Sequence, residues 1–258
     1  MFVVDGLFVD ERTGPAGSQR VVFVHGAMDR SSSFAKVRSG LSDHTTLAYD
    51  RRGYARSVGM GPAESFRDHV NDLVSVIDGR RSVLVGHSYG GNACLGVAAE
   101  YPELVSALVV FEAPMSWEEW WPTSAGSSTI AVGEAQGPES AAEAFMRRIV
   151  GDSLWERLSE QTKADRRAEG RALLFDLAGL RGQGSPYVPE MVRCPTVIGH
   201  GEHSLPHQIR SAVELRNRLV NARTSLRCLL GAGHGAHSSD AGGFGALVDE
   251  AMSYAHAT

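Results

Sequence analysis

Ser82-Val83-Leu84-Val85-Gly86-His87-Ser88-Tyr89-Gly90-Gly91 runs from an apolar segment of strand character into a serine with a glycine two residues to either side. Asn92 to Tyr101 then continue as a small-residue, helix-forming stretch. A G-x-S-x-G pattern between a buried strand and a helix is a nucleophile elbow: the turn is tight enough that a Cβ at either glycine would meet neighbouring backbone, and the serine is held in strained geometry above the sheet. In a chain with 29 glycines among 258 residues the pattern alone carries little, so the strand before it and the helix after it carry the reading.

Outward from this point, short apolar runs alternate with longer amphipathic ones, the pattern of an α/β sheet. Residues 20–25, 45–49, 82–86, 107–111, 195–199 and 224–230 read as buried strands. Val3-Val4 and Leu7-Phe8-Val9 flank Asp5-Gly6, a dipeptide suited to a hairpin turn. Helices are expected over residues 31–41, 63–77, 89–101, 207–219 and 243–254, with Phe66, Val70, Leu73 and Ile77 at helical spacing on a core-facing stripe. Residues 113–193 break the rhythm. They show no buried strand, are polar and helical in pattern, and are too long for a simple connection, so they read as a helical insert, a lid over the core formed by residues 1–112 and 194–258. All four tryptophans fall in it, and the spacing of Trp117, Trp120 and Trp121 suits one face of a helix.

Composition bounds the rest. With 43% hydrophobic and 21% charged residues the chain can fill one large core. A net charge of −5 argues against nucleic acid as a partner. No apolar run approaches the ~18 residues of a membrane span, and Met1 to Glu11 lack the basic start of a signal peptide. Three cysteines, Cys94, Cys194 and Cys228, have no paired spacing; they read as small buried hydrophobes in a reducing cytoplasm.

Two further loops belong with the elbow. His25-Gly26-Ala27-Met28 follows a strand and can turn a backbone N–H into the crevice; Ala27, with Met28 as competitor, is paired with the Tyr89 N–H as a candidate oxyanion hole. Gly231-Ala232-Gly233-His234-Gly235 follows the last strand and returns a histidine to the mouth of the sheet, where a general base must sit; His237 is its weaker neighbour. His87 and His25 read as packing residues. His200, His203 and His207 with Glu202 read as ordinary loop residues rather than metal ligands, and no phosphate-binding fingerprint occurs, so neither metal nor cofactor is expected.

With these residues in order, the chain resembles the α/β-hydrolase family over nearly its whole length, through His25-Gly26, Asp50-Arg51-Arg52-Gly53, Gly86 to Gly91 and Gly233-His234. The resemblance implies an α/β-hydrolase fold: a mostly parallel eight-stranded sheet flanked by helices, with a helical cap after the sixth strand, where residues 113–193 fall. Two departures stand out. Ala55 occupies a position where the family usually has glycine, and Asp50 reads as structural. After the seventh strand, where the commonest family arrangement has Asp, the turn reads Gly201-Glu202-His203-Ser204. A hydroxyl cannot carry the charge that steadies an imidazolium. Some relatives, among them haloalkane dehalogenases and zearalenone-hydrolysing lactonases, carry their acid after the sixth strand, where this chain has Glu112; Glu112 is therefore assigned ahead of Glu202.

The expected activity is that of a cofactor-independent serine hydrolase acting on a small or medium, mostly apolar ester or lactone. Ser88 is its nucleophile, His234 its base and Glu112 its acid. Met28, Met115, Trp117, Trp120 and Trp121 are candidates for an apolar substrate pocket, with Phe145 and Met146 as further ones. The same constellation suits C–C bond cleavage of a diketone, and Ser204 keeps open a hydrolase-fold binding protein without efficient turnover.

Overall fold

The computed structural model describes residues 1–255. Asp5 and Gly6, both in the left-handed region (φ 49° and 90°), close a two-residue hairpin between β1 (Phe2–Val4) and β2 (Leu7–Arg12), a geometry whose twist matches paired strands. The hairpin joins the sheet by antiparallel pairing of β2 with β4 (Thr45–Tyr49). The remaining strands are parallel: β3 (Arg20–Val24), β5 (Ser82–His87), β6 (Val105–Phe111), β7 (Thr196–Gly201) and β8 (Thr224–Leu229). Strand order is β1-β2-β4-β3-β5-β6-β7-β8, so the expected eight-stranded, mostly parallel sheet is present.

Alternation along each central strand feeds two cores. Val22, Val24 and Leu84 face one side, and Val21, Phe23, Val83 and Val85 the other. The first core is closed by α2 (Phe66–Ile77), α3 (Tyr89–Glu100) and α9 (Pro206–Arg218), through residues such as Leu73, Leu95 and Leu215. The second is closed by α1 (Ala35–Ser39), the one-turn α10 (Ala236–Ser239) and α11 (Ala241–Ala255), through Val37, Ala236, Phe244 and Val248. Helix α2 starts at Ser65 in a capping box with Asp68 and buries Val70, Leu73 and Ile77 as the periodicity predicts.

Four expectations are corrected. Residues 31–41 form a short 3-10 turn (Ser31–Phe34) and a single helical turn, because three consecutive serines favour local backbone bonding over a long helix. Strand β8 is half exposed, since it is the edge of the sheet and has a neighbour on one side only. Cys228 lies on it and is exposed, whereas Cys94 and Cys194 are buried. Trp117, Trp120 and Trp121 lie in successive turns rather than on a helix; Pro114 and Pro122 bracket the segment and withhold two backbone donors.

Between β6 and β7 come five helices: α4 (Ser127–Gln136), α5 (Pro138–Val150), α6 (Asp152–Arg157), α7 (Glu160–Ala168) and α8 (Gly170–Ala178). Helices α5, α6 and α8 share a small core of Ala142, Met146, fully buried Trp155 and Leu173, which also takes in Met28 and Tyr54 from the sheet body. One buried ion pair ties the segment down. Arg51, on the loop after β4, reaches Asp176 of α8 at 2.5 Å, and Tyr54 donates its hydroxyl to the same carboxylate at 2.7 Å. Among the described residues no helix is long and apolar enough to cross a membrane.

Asp176→Ala leaves the Arg51 guanidinium buried and unpaired, which is expected to cost about 3–5 kcal/mol in chemical denaturation. The double variant Arg51→Met with Asp176→Leu should recover part of that loss, because it removes the unpaired charge but leaves the buried Tyr54 hydroxyl and His25 carbonyl without their partners.

Candidate active site

The carboxyl ends of β3, β5, β6 and β8 converge at one edge, and the backbone there is strained. Met28, Ser88 and Glu112, following β3, β5 and β6, have φ of 53°, 53° and 51°; among the described residues they are three of six non-glycine positions in the left-handed region. Such conformations cost about 1–3 kcal/mol each and persist only where surrounding contacts fix them.

At Ser88 the fixing contacts are backbone. Its N–H donates to the Phe111 carbonyl at 2.8 Å, and its carbonyl accepts from the Gly91 N–H at 2.8 Å. A Cβ on Gly86 would lie 2.5 Å from Gly91 Cα, and one on Gly90 would run into the carbonyl oxygens of Val24 and His25. A Cβ on Gly26 would sit 2.8 Å from the Ser88 Cβ, so the β3 loop passes directly against the elbow. Tyr89 opens α3 with its ring buried against His69 and Phe66 and under the Arg51 guanidinium, 4.9 Å above its centroid.

Glu112 is 2% exposed and fully engaged. Oε1 accepts from the Gly201 N–H at 2.7 Å and the Ser204 hydroxyl at 2.5 Å, and Oε2 faces His234 Nδ1 at 2.5 Å. Burial pushes this carboxyl up, but the hydrogen bond and charge of His234, then Ser204 and Gly201, outweigh it and hold its pKa below the ordinary glutamate value. Ser204, the departure noted in the turn after β7, therefore sits on the carboxylate itself. Glu202 is turned elsewhere and accepts from the Gly231 N–H at 2.8 Å.

His234 is held against the elbow from behind. His87, the neighbour of Ser88, donates Nε2–H to the His234 carbonyl at 2.8 Å, and the two rings lie 4.7 Å apart. Burial, then the neighbouring His237 and His234, keep His87 neutral, its pKa well below the usual histidine value. His237 points to the β3 loop, with Nε2 2.9 Å from Asp29 Oδ2. Burial works against the Asp29 charge, but the His237 hydrogen bond overcomes it and leaves the carboxyl well below its ordinary range. Asp29, His87 and His237 put one donor atom each within 4.8 Å of one another, a grouping that sequence spacing gave no means to foresee; His200, His203 and His207 form no such cluster among the described residues. His25 is buried beneath the loop: it bonds the Gly26 carbonyl through Nδ1 at 2.7 Å and accepts the Arg51 N–H at Nε2. Burial and then Arg51 lower its pKa to about 4.

The apolar candidates are spread out. Met28 is buried and shares the core of the insert. Met115, 1% exposed, is packed in the sheet core, so it has little surface to offer a ligand. Trp121 stands edge-on to His207, ring centroids 4.7 Å apart; burial and then the proximity of His234 lower the pKa of His207. Trp117 and Trp120 line an open surface groove with Glu118, Glu119 and Arg210, and none of Ser88, Glu112 and His234 lines it. Phe145 and Met146 belong to the core of the insert.

A strained serine turn between a strand and a helix on a mostly parallel eight-stranded sheet, with a Glu–His pair beside it, is the architecture of the α/β-hydrolase class. The model of the alpha/beta hydrolase family matches residues 21–246, and the chain belongs to that family. It is 34% identical over 113 residues to RutD of Caulobacter vibrioides, which carries the name of a carbamate hydrolase; the match spans 42% of each chain. Structures of a carboxylesterase from Nitrososphaera gargenis (TM-score 0.72, 19% identity, 97% of this chain and 95% of that one) and of the enol-lactonase from Burkholderia xenovorans (0.68, 19%, 97% and 98%) share the fold.

Ser204→Ala removes a hydrogen bond to a buried charge, worth about 1.5–3 kcal/mol. The sign follows from the depressed Glu112 pKa: the stability it contributes is present above the ordinary glutamate value of 4.5 and is lost as pH falls through the lower folded value. The gap in thermal midpoint between wild type and Ser204→Ala should therefore be several degrees at pH 7 and narrow progressively below about pH 4.5.

Proposed function

We propose that this protein is a cofactor-independent serine hydrolase of small or medium, mostly apolar carboxylic esters or lactones. The observation that carries the reading is the 2.5 Å contact between Glu112 Oε2 and His234 Nδ1 beside the strained Ser88. In this reading Glu112 keeps the Nδ1–H tautomer of His234, leaving Nε2 as the base. Ser88 Oγ attacks the substrate carbonyl as its proton passes to His234 Nε2. The N–H groups of Ala27, or its neighbour Met28, and of Tyr89 receive the negative charge that develops on the carbonyl oxygen. Collapse of the tetrahedral intermediate expels the alkoxide, which takes the Nε2 proton. Water then gives a proton to Nε2, attacks the acyl-enzyme, and releases the carboxylic acid as Ser88 regains its hydrogen.

Ser204 favours turnover over a binding role, because its hydroxyl supports the Glu112 carboxylate instead of leaving the acid position empty. The helices of residues 113–193 are read as the lid, with Met28, on the β3 loop, and Trp121, beside His207, as the apolar candidates. A fluorescent fluorophosphonate should label wild type within minutes at Ser88, located by peptide mass spectrometry, and leave Ser88→Ala unlabelled. Absence of labelling in folded protein would overturn the reading. On a short-chain nitrophenyl ester, Glu112→Gln should lower kcat by roughly 10³–10⁴, the scale of losing an orienting carboxylate. Glu202→Gln should stay within twofold of wild type; the reverse pattern would move the acid to Glu202.

A further inference from the structure

The β3 loop is held from the insert as well as from the sheet. Arg166, in the last turn of α7, donates from Nη1 to the Met28 carbonyl at 3.0 Å and to Glu169 Oε2 at 3.2 Å. Glu169, 1% exposed between α7 and α8, accepts at its other oxygen from Arg30 at 3.2 Å and from the Ala55 N–H at 2.9 Å. Met28 and Ala55 are both non-glycine residues in the left-handed region, with φ 53° and 46°. One Arg–Glu unit of the insert thus grips two strained backbone positions of the sheet body. The Met28 side chain is meanwhile packed into the core of the insert with Trp155 and Leu173.

Resting on the hydrolase reading above, we propose that Arg166 is a positioning residue for the oxyanion hole, so that the insert builds part of the reaction centre rather than only covering it. In the left-handed region a side chain at Met28 is disfavoured, and the loop gains by rotating φ back to negative values. That rotation turns the peptide carrying the Met28 N–H and drags the adjoining Ala27 peptide with it. The bond from Arg166 fixes the peptide on the other side of Met28, and its guanidinium is itself fixed by Glu169. A loop relaxed in this way still leaves Ser88, His234 and Glu112 in place, and it still admits substrate. What it loses is alignment of the N–H donors with an oxygen that is negative only in the transition state.

The test uses the full chain and a short-chain nitrophenyl ester, with Arg166→Met, Arg166→Ala and Arg166→Lys beside wild type and Ser88→Ala. Arg166→Met is expected to lower kcat by about 10–100-fold, a part of the ~10²–10³ that loss of a whole oxyanion donor costs, with KM within twofold. An alkyl boronic acid, which becomes a tetrahedral anion on the serine, should bind Arg166→Met more weakly by about the same factor as kcat falls. Arg166→Lys keeps a cation beside Glu169 but only a point charge in place of the planar fork, and should fall between the two. Guanidinium ion at millimolar concentration should restore part of the kcat of Arg166→Ala, which a merely structural loss would not allow. Wild-type kcat and boronate affinity in folded Arg166→Met, or a loss confined to KM, would overturn the proposal while leaving the hydrolase reading intact. A wild type that neither hydrolyses the ester nor reacts with a fluorophosphonate would sink the reading itself, and this inference with it.

Discussion

Backbone packed against backbone is the constraint on which the site rests. The loop after β3 and the turn after β5 approach so closely that Gly26 and Gly90 have no room for a Cβ, and the turn folds so tightly on itself that Gly86 has none either. That approach forces Ser88 out of ordinary conformational space. The hydrogen bond from the Ser88 N–H to the Phe111 carbonyl then links the elbow to β6, the strand that presents Glu112. Strain at one residue is compensated by bonds that position the next, so geometry is shared among four strand ends instead of being set at each one.

Around this centre the charges follow one rule: each buried ionised group has several partners. Glu112 has His234, Ser204 and the Gly201 N–H; Asp176 has Arg51 and Tyr54; Glu169 has Arg166, Arg30 and the Ala55 N–H. Histidines that burial would leave without stabilising charge, His25 and His87, are held neutral and serve as hydrogen-bonding spacers. Proton affinity is thereby divided within a small volume.

Much of this was legible in the chain. The sheet followed from apolar runs and glycine turns, and the elbow from a serine between two glycines at a strand-to-helix junction. The meeting of Glu112 with His234 could be anticipated from strand ends, because parallel strands deliver their following residues to one edge. Other features depend on tertiary neighbours that no local pattern encodes. Ser204 reads as a missing acid until its hydroxyl is seen on Glu112, and Ala55 as a mild irregularity until Glu169 is seen holding its N–H. The tryptophan segment has helical spacing without a helix, since prolines on either side and contacts such as Trp117 with Tyr187 govern it instead. The exposure of Cys228 follows from its place on an edge strand, which strand order determines and composition does not.

The buried Arg51–Asp176 pair has a consequence for how the molecule comes apart. An insert joined to its host only by two chain crossings could open and close on its own, exchanging amide hydrogens long before the sheet does. Here α8 cannot leave without exposing a guanidinium that also donates to the His25 carbonyl at 2.8 Å, at the end of β3. Release of the helix is thus coupled to loosening of the central sheet. Loss of α8 and loosening of the β3–β4 region are therefore expected as a single opening step.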